Sequence, residues 1–77
     1  MSMLLPQSRT GVVASCRPVD IHGDRFFDLR VFLDGATAGE PPLTSRVSAT
    51  ECPAGLAEGE KVEVRLVLGI ITRAARA

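Results

Sequence analysis

The chain has 77 residues, which sets a single domain over 1–77 close to the lower size limit for one core, since a chain of this length buries only about 60–65% of its unfolded surface. Nine basic and nine acidic residues cancel, and this excludes a strong non-specific polyanion binder driven by net charge. No apolar run approaches the roughly 18 residues of a membrane span, and the opening Met1–Pro6 is too short for a signal peptide, so a cytoplasmic, reducing location without a membrane partner is expected.

Residues 3–7 read as an edge segment, limited by Pro6, which lacks a backbone donor. From Arg9 to Val19 the pattern gives a first long strand, with Val12, Ala14 and Cys16 on one face and Val13, Ser15 and Arg17 on the other. Gly11 inside it marks a bulge or bend, as a strand needs when it serves both sides of a small barrel. Asp20-Ile21-His22-Gly23-Asp24 has the chemistry of a hairpin turn. Arg25 to Asp34, closed by Gly35, is the central strand: Phe27, Leu29, Val31 and Leu33 make one wholly apolar face, and Phe26, Asp28, Arg30, Phe32 and Asp34 the other.

Ala36 to Pro42 is a polar, proline-containing loop. Leu43 to Thr50 alternates again, with Leu43, Ser45, Val47 and Ala49 opposite Thr44, Arg46, Ser48 and Thr50. Glu51 to Glu60 is too short and broken for a regular helix, and Leu56 is expected to plug one end of the barrel with at most a helical turn around it. Lys61 to Leu68 is the next clear strand, with Val62, Val64, Leu66 and Leu68 inward. Gly69 breaks the alternation, so Ile70 to Arg73 is either a bulged continuation or a short fifth strand, and Ala74 to Ala77 a frayed tail.

Short strands joined by turns, with little or no helix, point to an all-β, antiparallel small barrel, because closure removes the edges that a lone sheet exposes. Thr10-Gly11-Val12-Val13, then Phe27-Asp28-Leu29-Arg30-Val31 ending in Asp34-Gly35, then Leu56 before Gly59-Glu60-Lys61-Val62-Glu63-Val64, then Ile71-Thr72-Arg73, resemble in order and spacing the oligonucleotide-binding (OB) folds. The similarity is to one-domain translation-initiation-factor and single-stranded-DNA-binding barrels, over residues 10–73. It implies a five-stranded OB-like barrel and a nucleic-acid partner.

Sequence-independent binding of single strands combines aromatic faces for base stacking with basic side chains along the phosphates. Phe26, Arg30 and Phe32 on the outer face of the central strand have that combination, and Arg17, Arg46 and Arg65 extend it where the neighbouring faces are contiguous. The six residues point to single-stranded DNA or RNA. Eight of the nine basic residues are arginine, whose fork suits phosphates and stacks on rings, although a GC-rich coding bias produces the same skew. The competing reading is a protein interface or homodimer contact, in which Phe26 and Phe32 cover another chain and the arginines pair with Asp28, Asp34 and Glu63; exposed aromatic patches mark protein interfaces equally well.

No catalytic signature, phosphate-cradling loop or cofactor motif is present, so no enzyme and no cofactor is expected. His22, the lone histidine, reads as a solvated turn residue, and Cys16 and Cys52 as buried reduced thiols, too far apart in sequence for a metal site or a redox pair motif.

Overall fold

Alternation of apolar and polar side chains carries most of the chain into extended structure. The computed structural model describes residues 6–77 and contains β1 (Gln7–Ile21), β2 (Asp24–Leu33), β3 (Leu43–Ser48), a 3-10 turn (Ala49–Glu51), β4 (Lys61–Val67) and β5 (Ile70–Arg76). Of the edge segment expected over residues 3–7, positions 3–5 lie outside the described residues, and Gln7 begins β1. The five strands form one antiparallel sheet in the order β3-β2-β1-β4-β5. No ladder joins its two outer strands, so the sheet is not closed. It curls until β3 and β5 lie side by side, and the Ile71 N–H donates to the Ser45 hydroxyl across the seam at 3.0 Å.

β1 is long because it serves both halves of the sheet. Gln7 to Val12 pair with Leu66 to Lys61 on β4, while Gly11 to Ile21 pair with Leu33 to Asp24 on β2. Only Gly11 and Val12 are paired on both sides. At this crossing a Cβ on Gly11 would stand 2.6 Å from both the Phe32 carbonyl oxygen and a Val31 methyl, so the strands approach as closely as they do only because glycine is there.

The bulge lies at Ala14, between Val13 and Ser15, and not at Gly11. It adds one residue to β1, and this corrects the faces expected for the strand. Val13 is buried and Cys16 packs on the core beside it, while Val12, Ser15 and Arg17 stand opposite the outer-face residues Phe32, Arg30 and Asp28. A second irregularity leaves Thr72 of β5 unpaired, so that Ile71 and Ala74, three residues apart, both face the core, whereas β2, β3 and β4 keep the alternation. Leu29, Val31, Val62 and Val64 are wholly buried, Phe27, Val47 and Leu66 nearly so, and Leu56 joins the core from the loop before β4, with no helix around it.

Two-residue turns link β1 to β2 and β4 to β5, and their first residues, His22 (φ 51°) and Leu68 (φ 54°), both precede a glycine in the left-handed region. That backbone matches the twist of tight hairpins. Leu68 therefore leaves the strand and is 60% exposed, against the inward position expected for it. The tight turn makes β5 a separate fifth strand. It runs on to Arg76 and buries Ala74, so residues 74–76 are sheet and not a frayed tail.

Ser45→Ala should lower stability by about 1–3 kcal/mol, because the buried Ile71 N–H loses its acceptor. Gly11→Ala should cost a similar amount, about 1–3 kcal/mol, by forcing the crossing apart. Urea denaturation of the two variants checks both values, and an unchanged midpoint for Ser45→Ala would show that the seam is held by side-chain packing alone.

Candidate functional site

Among the described residues no buried side-chain nitrogen or oxygen lacks a hydrogen-bond partner. The register of β1, β2 and β3 builds two adjacent rows on the outer face. Arg17, Asp28 and Arg46 stand side by side in one, and Ser15, Arg30 and Thr44 in the next. Neighbouring strands are about 4.8 Å apart and successive rows about 6.6 Å, so the three arginines converge within one ligand-sized area. They line an open cavity of about 440 Å³ together with Ser15, Thr44 and Asp28.

Asp28 organises the cluster. Arg46 grips it with a bidentate fork, Nε at 2.8 Å and a terminal nitrogen at 3.1 Å. This hydrogen bonding, with the charge of Arg46 and then of Arg17, holds the Asp28 carboxyl below the usual carboxylate range. Both partners remain substantially open to water, so the pair is exchangeable. Arg17 and Arg30 have no carboxylate within ion-pair distance among the described residues. Three guanidinium groups thus face a single carboxylate.

The rings flank this cup along β2. Phe26, opposite Val19 and Ser48, is half-buried at one end, and Phe32, opposite Val12, is 46% exposed at the other. They are six residues and so about 20 Å apart. Phe32 also borders a smaller cavity of about 260 Å³ against Pro41, Pro42 and Leu43, so the loop before β3 backs one side of its ring.

Five of the six residues singled out in the sequence therefore lie on one continuous face. Arg65 does not join them. It stands opposite Ser8, seven residues along β1 from Ser15 and hence about 23 Å away, beside Arg73 of β5. Arg73 is paired with Glu51. Of the ion pairs expected for the arginines, Arg46–Asp28 is present, whereas Asp34 is paired with Lys61 and bonded by Thr10. Ser15 and Thr44 were missed as lining residues because neither type signals a site without the register that places it.

Among the described residues no group of three or more His, Cys, Asp or Glu is placed to hold a metal ion, and no helix is long and apolar enough to cross a membrane, which says nothing of strands. The chain matches no family model, no curated protein and no solved structure.

Asp20, Asp28, Asp34, Glu51 and Glu60 all have carboxyls held low, in each case chiefly by hydrogen bonds from Arg25, Arg46, Thr10, Arg73 and the Ala57 backbone N–H respectively. A folded-state pKa below the unfolded value stabilises the fold above the unfolded value, and that contribution disappears as pH falls through the folded one. The thermal midpoint should therefore stay level from about pH 8 to pH 5.5 and decline below about pH 4, as calorimetry across that range would record. A midpoint unchanged at about pH 3 would exclude these contacts as contributors.

Proposed function

We propose that this chain is a non-enzymatic, cytoplasmic protein of the OB type that binds single-stranded nucleic acid on the outer face of β1, β2 and β3. The observation that carries the reading is the convergence of Arg17, Arg30 and Arg46 from three adjacent strands around one cavity, with Phe26 and Phe32 on the same face at its two ends. A strand order that brings β3 and β5 side by side in the same direction supports the OB assignment, a partly open five-stranded barrel whose second and third strands take oligonucleotides. Phosphates lie in the cup and bases stack on the rings. Phosphate enters as a competitor of Asp28 for Arg46, so affinity is moderate and falls with salt.

Anisotropy of a labelled single-stranded oligonucleotide, titrated at about 50 and 200 mM salt, tests the reading, since each phosphate contact contributes about 0.7 to the slope of log affinity against log salt. Phe26→Ala with Phe32→Ala should weaken binding by about thirtyfold or more, as two stacked bases at about 1–3 kcal/mol each require. Arg30→Ala should flatten the salt slope by about 0.7, Asp28→Asn should strengthen binding, and Arg65→Ala should change it least. Undiminished affinity in the folded double phenylalanine variant would exclude this face.

A second reading, association of two copies, is favoured by a separate feature. Leu68 and Ile70 at the β4–β5 turn are 60% and 58% exposed, an apolar tip on a small domain. If that tip is a homodimer contact, sedimentation of the wild type gives a dimer and Leu68→Glu with Ile70→Glu a monomer.

A further inference from the structure

The arginine cup holds more charge than one internal phosphodiester neutralises. Arg17, Asp28 and Arg46 make one row across β1, β2 and β3, and Arg30 stands in the next row between Ser15 and Thr44. All six line one open cavity of about 440 Å³. Three guanidinium charges against the single carboxylate of Asp28 leave two positive charges in that space. The next acidic residues before and after Asp28 in the sequence are Asp24 and Asp34. Each lies four residues outside the cup, from Asp28 and from Arg30 respectively, about 13 Å along extended backbone and past the screening length of about 8–10 Å. Asp34 is in addition paired with Lys61.

The cations are also concentrated and not strung out. A groove that tracks a nucleic-acid backbone sets its basic side chains along the path of the strand. Here they occupy two rows on three strands, an area of about 10 Å by 7 Å. Arg65, which would continue a track, is about 23 Å from Ser15. A phosphodiester brings one negative charge to such a cup. A phosphate monoester brings about −1.5 to −2 at neutral pH and three acceptor oxygens, which suit several guanidinium forks at once.

We infer that the cup receives the terminal phosphate monoester of a single strand, so that the protein engages the phosphorylated end of its ligand and not the middle. This rests on the reading of the β1–β2–β3 face as a nucleic-acid surface. The rings suit such an end, because Phe26 and Phe32 each stand two residues along β2 from the cup, at Asp28 and Arg30 respectively, about 7 Å. With the phosphate on the arginines, the base of the same nucleotide stacks on Phe32, the more exposed ring, which the loop at Pro41 and Pro42 backs. Ser15 and Thr44 add hydroxyl donors on either side of Arg30.

The experiment uses the whole chain and an internally labelled single strand phosphorylated at both ends. Its displacement is followed by anisotropy with three unlabelled competitors of one sequence, ending in a 5′ phosphate, a 3′ phosphate or hydroxyls only. At least one phosphorylated competitor should displace the label at about tenfold lower concentration than the hydroxyl-ended strand, or less. Arg17→Ala with Arg30→Ala should bring that ratio close to one, and Arg65→Ala should leave it unchanged. Equal competition by all three strands on the wild type would overturn the inference while strand binding itself stands. An advantage of the phosphorylated end that survives the double arginine replacement would overturn it too, because the phosphate would then be read elsewhere. Failure of the labelled strand to bind even at about 50 mM salt would remove the nucleic-acid reading, and this inference with it.

Discussion

The whole arrangement depends on one strand being shared by two ladders. β1 is hydrogen-bonded to β4 over its first half and to β2 over nearly all the rest, and both ladders overlap only at Gly11 and Val12. Past that point β1 turns away from β4. The Val13 N–H donates to the Glu60 carbonyl and the Val13 carbonyl accepts from the Gly59 N–H, at 2.9 and 2.8 Å, closing the gap that the departing strand leaves. Gly11 permits the close crossing, and the Ala14 bulge follows three residues later, where the strand changes partners. Bulges bend a strand and increase its local twist, which is what a five-stranded sheet requires to bring β3 round to β5.

The same bulge decides the chemistry of the outer face. Without the additional residue, strict alternation would set Val13 on the same side as Ser15 and Arg17. With it, Val13 and Cys16 both face the core, and Ser15 and Arg17 stand opposite Arg30 and Asp28. Core packing and site assembly are therefore one event. The seam between β3 and β5 is settled by a buried hydroxyl, Ser45, where the alternation of β3 places an inward polar residue among aliphatic ones. A polar group is tolerated there because the edge strand β5 presents an N–H that would otherwise be buried without an acceptor.

Much of this was legible in the residues. The apolar face of the central strand, the inward valines of β4 and the turn at His22-Gly23 follow from periodicity and turn chemistry alone, and Leu56 is buried as an apolar residue in a polar loop should be. A two-residue turn even fixes every pair from Ile21 with Asp24 back to Ser15 with Arg30, so the Arg17–Asp28 and Ser15–Arg30 neighbours were derivable in principle. What could not be read was where that register breaks. Gly11 carries the usual signal for a bulge, whereas Ala14 carries none, and a bulge set by the demands of two ladders leaves no mark on a single residue. Leu68 misled for a similar reason. A leucine ending an alternating strand reads as core, and only a tight left-handed turn, rarely adopted by leucine, removes it.

A net charge of zero argues against a polyanion ligand only if the charges are evenly spread, and they are not. Among the described residues five ion pairs consume five of the nine acids and five of the nine bases. The four acids outside these pairs are Asp24 at the β1–β2 turn, Glu40 and Glu58 in loops, and Glu63 on β4. The four bases outside them include Arg17 and Arg30, next to each other on the β1–β2 surface, with Arg46 one strand away and only exchangeably tied to Asp28. Exposed charges more than about 8–10 Å apart are largely screened at physiological salt, so a ligand approaching this face meets the local arginines and little of the distant acids. A balanced total is compatible with a basic site of short reach, one that holds a phosphate once it arrives without drawing polyanions from afar.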